Sequence, residues 1–320
     1  MRKYFSIILI LLFLPSLTFG TTYYIRDDGS ADIDSTSSCN AASNAANVQV
    51  HNSASFSAGD IVIICHQGGP FDGGDEFVVP SSGSKRNPIT YQGEPGAGNS
   101  FHAEGDLDNN QIFIEGNNKS YITIKDLRVK EYDTAFYFHN DSDNITIQDT
   151  YVQDCNHNAV RSYHSVGDCI ADQNCNDDWV IQNNEFVRNG SEDGDAQIEI
   201  ESADNWKVAH NKIYGGDITG YVCPDDADDG PIKAGVDGMF LVDASQIIIE
   251  YNEIYEHNND GACSGDQHGE NGIDLKNSTK QITIRYNHIY NNSASKEGYG
   301  LIWHFCNQAD EDLKVYKNVF

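Results

Sequence analysis

Basic residues are scarce. Of 320 residues, 20 are Lys or Arg against 49 Asp or Glu, a formal charge of 20 − 49 = −29. So acidic a chain cannot neutralise phosphates over a broad surface, which excludes gripping nucleic acid that way and argues against docking on anionic lipid. No CxxC pair occurs among the eight cysteines, so a structural zinc site is disfavoured. After the first 20 residues no apolar run approaches the ~20 residues of a membrane-spanning helix. Two-residue Asn-Gly turns are too few for an antiparallel sandwich. Charged residues at 22% and hydrophobic ones at 39% exclude wholesale disorder.

Met1–Gly20 has the layout of a secretory signal: Arg2 and Lys3, an apolar run from Tyr4 to Leu14, then Pro15 and small residues before a cut. A secreted protein, extracellular or periplasmic, is expected, with residues 21–320 as its folded domain. Its eight cysteines then meet an oxidising compartment, and disulfides are expected. Cys155 with Cys169 or Cys175, and Cys223 with Cys263, are plausible loop staples.

The chain repeats a phrase. Ile181-Gln-Asn-Asn-Glu-Phe186, Val208-Ala-His-Asn-Lys-Ile-Tyr214, Ile249-Glu-Tyr-Asn-Glu-Ile-Tyr255 and Ile284-Arg-Tyr-Asn-His-Ile-Tyr290 share an apolar start, an Asn and an apolar close. Ile122–Leu127 and Ile145–Thr150 are degenerate copies, and Val315–Phe320 is a last one. Asp126, Asp149, Asn184, Asn211, Asn252, Asn287 and Asn318 mark the repeats at variable spacing, as a solenoid with loop insertions produces. The local period is two and β-branched residues dominate, so each repeat reads as short strands. The expectation is an all-β, parallel β-helix in which the Asn residues occupy equivalent bends and bond the backbone or one another. Phe320 closes a phrase without a polar cap, so further coils are expected beyond it.

In these features the chain resembles secreted right-handed parallel β-helix proteins of the pectate-lyase-like type. Tyr23–Ser30 looks like their opening strand, and Ala58–Ile63 with Asn87–Pro95 like their first coils. Alignment of the repeats puts Ala159–Tyr163, Gln197–Glu201, Gly238–Val242, Gly272–Lys276 and Gly300–His304 on one sheet. Alternation sends Ile198, Ile200, Met239, Leu241, Ile273 and Leu275 inward. Arg161 and Tyr163, Glu199 and Glu201, Asp274 and Lys276, and His304 then share an outer face able to take a linear polymer. Asp237, Glu270, Asn271 and Asp274 supply hard oxygen ligands from two neighbouring coils, the kind Ca²⁺ prefers. Asp225–Asp229 could hold a second ion or merely keep its loop soluble.

The resemblance sharpens this reading. Asp237-Gly238 and Glu270-Asn-Gly-Ile-Asp274 are similar to the calcium motifs of family-nine-type pectate lyases, whose catalytic Lys position is Ile302 here. Glu270 followed by Lys276 resembles instead the family-six-type lyases. The implied activity is a calcium-dependent polysaccharide lyase that cleaves a uronic-acid polymer by β-elimination. Lys276 is then the base, Tyr163 or His304 the acid, and Arg161 the partner of a substrate carboxylate. Glu199 and Glu201 line the substrate path. The expected partner is an acidic polysaccharide, with no nucleic acid, no membrane and a monomeric state. Two alternatives remain open: a glycoside hydrolase using Glu199 and Glu201 as paired carboxylates after Asp195, and a non-catalytic glycan-binding or structural β-helix.

Overall fold

The computed structural model describes residues 20–106, 111–163, 175–189, 196–215, 237–257, 271–276, 279–292, 299–303 and 312–320; the side chains of Asp237, Phe240 and Trp303 lie outside that set. The chain winds through three parallel sheets of ten, seven and nine strands. A regular coil contributes one strand to each. Ile122–Lys125 joins the first sheet, Arg128–Lys130 the second and Thr134–His139 the third, and Ile145–Gln148 begins the next coil.

Period-two alternation accounts for the core. Alternate residues of each strand project inward, so the registers stack like residues into columns. Ile124, Ile147, Ile181, Val208, Ile249 and Ile284 form the first-sheet column. Phe136, Val160, Ile198, Met239 and Ile273 form the third. All of these side chains are fully buried. No coil buries its apolar face alone; the stack supplies the core. The inward set expected from the sequence is buried, in two adjacent columns and not the single one expected: Ile198, Met239 and Ile273, and beside it Ile200, Leu241 and Leu275. In the first coil the helix Val48–Asn52 stands against the third sheet's opening strand, Phe77–Val78. Asn47 caps it by accepting from the Val50 N–H at 2.9 Å, and Val48 and His51 enter the core.

The bend between the first and second sheets carries an asparagine ladder. Asn184, Asn211, Asn252 and Asn287 are buried, and each backbone N–H and side-chain amide donates to the next Asn Oδ1 at 2.9–3.0 Å, ending on Asn318. Each Nδ2 also donates to a carbonyl of the preceding coil. In the earlier coils the sequence marks are displaced by one residue. Asp126 and Asp149 hold the left-handed position just before the ladder, φ 55° and 54°, equivalent to Asn183; it is Thr150 that donates to Asn184 Oδ1. Asp and Asn tolerate that conformation better than most residues.

Two cysteine expectations change. Cys39 and Cys65 form a disulfide across the first coils. Cys155 is a free, buried thiol, so its proposed bridges to Cys169 or Cys175 do not form. Its segment is tied instead by a hydrogen bond, the Cys155 N–H donating to Asn189 Oδ1 at 3.1 Å. Cys175 is disulfide-bonded, and its partner, like Cys223 and Cys263, lies outside the described residues. Among the described residues no helix is long and apolar enough to cross a membrane.

Candidate functional site

The third sheet sets out its outer face one residue per coil. Glu115, Tyr137, Arg161, Glu199, Phe240, Asp274 and Ile302 stand in continuous register. Two residues along each strand, a second row carries His139 beside Tyr163, with Glu201 opposite Val242 on the next pair of strands. Lys276 continues the strand Ile273–Leu275, its N–H donating to the Leu241 carbonyl at 2.8 Å. The sequence-derived face is therefore a physical one, with neighbouring strands about 4.8 Å apart.

Its centre is a charged cluster. Arg161 Nε lies 3.3 Å from Glu199 Oε2, and the guanidinium stands over the rings of Tyr137 and Tyr163 at 5.7 and 5.9 Å. Glu199 is buried, and that burial raises its pKa against the opposing pull of Arg161 and, more weakly, of His157 and Lys276. Glu201 is pushed up to about 7, first by burial, then by the negative charge of Glu199, with which it also shares a hydrogen bond. Both carboxyls are therefore harder to ionise than exposed ones, and the charge of Glu199 favours the protonated form of Glu201. Lys276 Nζ stands 3.5 Å from Asp274 Oδ2, whose side chain is only 2% exposed.

Toward the N-terminal coils the same face carries a group that sequence reasoning missed. His139 Nε2 is 2.8 Å from Glu115 Oε1, and its ring stacks on Tyr137 at 4.7 Å. The hydrogen bond from His139 holds Glu115 below the usual carboxylate range. Glu76 is raised to about 7 by burial and then by its hydrogen bond to Glu115. The coils of Glu76 and Glu115 lack the phrase, which is why repeat alignment did not reach them; for His139, on the coil marked by Asp126, the alternation in Phe136-Tyr-Phe-His139 was the available signal.

Two of the four expected calcium ligands, Asn271 and Asp274, lie among the described residues. Asn271 is buried and its Oδ1 accepts the Tyr299 N–H at 3.0 Å, so that oxygen serves the corner between coils. Asp274 faces Lys276. Glu270 and the side chain of Asp237 lie outside the described residues, as do His304, Asp195 and Asp225–Asp229. The glycine of Asp237-Gly238 has a packing reason: a Cβ there would lie 2.6 Å from the Gly272 carbonyl oxygen and 2.8 Å from Ile254 Cγ2. Ile302, in register with Asp274, leaves an apolar side chain at the position of the family-nine base.

Comparison with known proteins agrees on architecture. Residues 163–320 match the family model described as "Right handed beta helix region". No curated protein matches the sequence. Among solved structures, pectate lyase Pel9A superposes with a TM-score of 0.57 at 13% identity, over 86% of this chain and 64% of that one. XylC in complex with xylose gives a TM-score of 0.53 at 11% identity, over 88% of this chain and 65% of that one. The chain thus spans under two thirds of the length of either. With its three parallel sheets, inward columns and asparagine ladder, the chain is a right-handed parallel β-helix of the pectate-lyase-like fold.

Proposed function

We propose that the protein is a secreted polysaccharide lyase that cleaves a uronic-acid-containing polymer by β-elimination on the outer face of the third sheet. The observation that carries this reading is the cluster of Glu199 and Glu201, the latter raised to about 7, beside Arg161, with Lys276 on the same face. A basic and an acidic carboxyl on one strand face can remove a proton and return one on the same side of the sugar.

In the proposed step Arg161 and Lys276 bind the uronate carboxylate, which makes the neighbouring C–H more acidic. Glu199, made more basic than an ordinary carboxylate by burial, takes that proton. The C–H electron pair becomes the new double bond as the bond to the leaving oxygen breaks, and Glu201 protonates that oxygen. Transfer of the proton from Glu199 to Glu201 along their hydrogen bond restores the starting state. The Arg161 and Lys276 side chains also explain how so acidic a chain can hold a polyanion.

The test is incubation of the protein with pectate, alginate and glycosaminoglycans, following both new reducing ends and ultraviolet absorbance. Both should rise together on one substrate. Reducing ends without absorbance would make the enzyme a hydrolase, and no cleavage of any polymer would leave a binding face without catalysis; either result overturns the proposal.

A further inference from the structure

The central cation of the third-sheet face has a built support beside it. The Arg161 side chain is 31% exposed, and its Nε lies 3.3 Å from Glu199 Oε2. One ion pair fixes a long side chain poorly, and a substrate carboxylate would compete with Glu199 for the same N–H donors. Aromatic rings hold a guanidinium differently, attracting its charge through the ring face without requiring its donors. Arg161 lies over two rings, Tyr137 at 5.7 Å on the neighbouring strand and Tyr163 at 5.9 Å on its own.

Tyr137 is held in place by a chain of contacts. Its ring stacks on His139 at 4.7 Å with the two planes 8° apart. His139 is tied at both nitrogens: Nε2 donates to Glu115 Oε1 at 2.8 Å, and Nδ1 accepts from Asn140 Nδ2 at 2.9 Å. Asn140 Nδ2 in turn donates to Asn117 Oδ1 at 3.2 Å. Glu115 and Asn117 come from the preceding coil, in register with Tyr137 and His139. The imidazole cannot turn without breaking both bonds, and the tyrosine stacked on it is steadied in turn.

We propose that Tyr137 and His139 are positioning residues, a stack anchored on Glu115 that holds the Arg161 guanidinium ready for a substrate carboxylate. What Arg161 binds rests on the lyase reading; how it is held does not.

The experiment follows Arg161 itself. In ¹⁵N NMR of the full chain, the Arg161 Nε–H signal, assigned by its loss in Arg161→Lys, reports how firmly the guanidinium is held. Relaxation should show an ordered side chain in wild type and in Tyr137→Phe, which keeps the ring, and a mobile one in Tyr137→Leu and in His139→Ala. Turnover of the polymer that wild type cleaves should follow the same order. kcat/KM should stay within about twofold in Tyr137→Phe and fall about fivefold or more in Tyr137→Leu, the size of one lost cation–ring contact. An Arg161 side chain as ordered in Tyr137→Leu and His139→Ala as in wild type would overturn the positioning role and leave the lyase reading standing. So would a Tyr137→Phe variant as impaired as Tyr137→Leu. Loosening of Arg161 in the variants of a protein that cleaves no uronic-acid polymer would instead sink the lyase reading while the support of Arg161 stands.

Discussion

Asn211 and Asn252 stand 41 residues apart in sequence and are joined twice: the Asn211 backbone N–H and its Nδ2 both donate to Asn252 Oδ1, at 2.9 and 3.0 Å. Asn252 Nδ2 in turn donates to the Val208 carbonyl at 2.9 Å. One buried side chain therefore satisfies three groups of the coil before it, at a bend where the strand ladder is interrupted.

Asn252→Ala leaves the Asn211 donors and the Val208 carbonyl with fewer partners in a dry corner. At about 1–3 kcal/mol for each orphaned buried group, a loss of roughly 2–5 kcal/mol is expected. Urea unfolding of wild type and variant measures it. A change under ~1 kcal/mol would mean that water or local relaxation replaces the ladder.

Gly238→Ala tests the stacked corner of the third sheet. The new Cβ would meet the Gly272 carbonyl oxygen at 2.6 Å and Ile254 Cγ2 at 2.8 Å, and neither backbone nor packed isoleucine can step aside cheaply. Overpacking of this kind costs about 1–3 kcal/mol. Thermal melting should fall accordingly, and an unchanged melting curve would show that the coils can separate there.

The repeats made the fold legible because the Asn at each bend cannot be exchanged without orphaning backbone groups, and inward positions must be apolar for coils to stack. Arg161, Glu199, Glu201, Asp274 and Lys276 could be placed on one face by counting twos from Ile198 and Ile273. Side-chain partnership could not be counted in the same way. Asn271 lies in the calcium-like phrase, and nothing in that phrase foretold that its oxygen accepts the Tyr299 N–H. Cys155 looked like a staple and is a buried free thiol. Glu76 and Glu115 went unnoticed because their coils lack the repeat mark, and His139 although its coil carries Asp126.

Glu201 makes stability fall as pH rises. Its folded-state pKa is about 7 against an ordinary 4.5, so between those values the folded protein keeps a proton that the unfolded chain has released. Since the native state binds more protons there, unfolding becomes easier as pH increases through that window. Glu76, also raised to about 7, acts in the same direction. Melting temperatures measured from pH 4.5 to 7 should decline, and Glu201→Gln, which cannot ionise, should flatten part of the slope. A variant with the wild-type slope would show that Glu201 titrates normally.

The roles of Glu201 and Lys276 separate in steady-state kinetics. If Glu201 delivers the proton to the leaving oxygen, Glu201→Gln keeps its shape and hydrogen-bonding capacity but loses the transferable proton. kcat should then fall by roughly 10²–10⁴-fold with KM little changed, since general acid catalysis acts in the transition state. The residual activity should also lose the decline expected above about pH 7, where wild-type Glu201 gives up its proton. Lys276→Ala removes a cation that binds the uronate carboxylate, so the larger effect there should be on KM, about tenfold, with kcat reduced less. The 3.5 Å pairing with Asp274 predicts this division, because a lysine held as the partner of a carboxylate serves charge recognition rather than proton abstraction. The reverse pattern, with kcat nearly abolished in Lys276→Ala and largely kept in Glu201→Gln, would make Lys276 the base and reduce the Glu199–Glu201 pair to a substrate-positioning role.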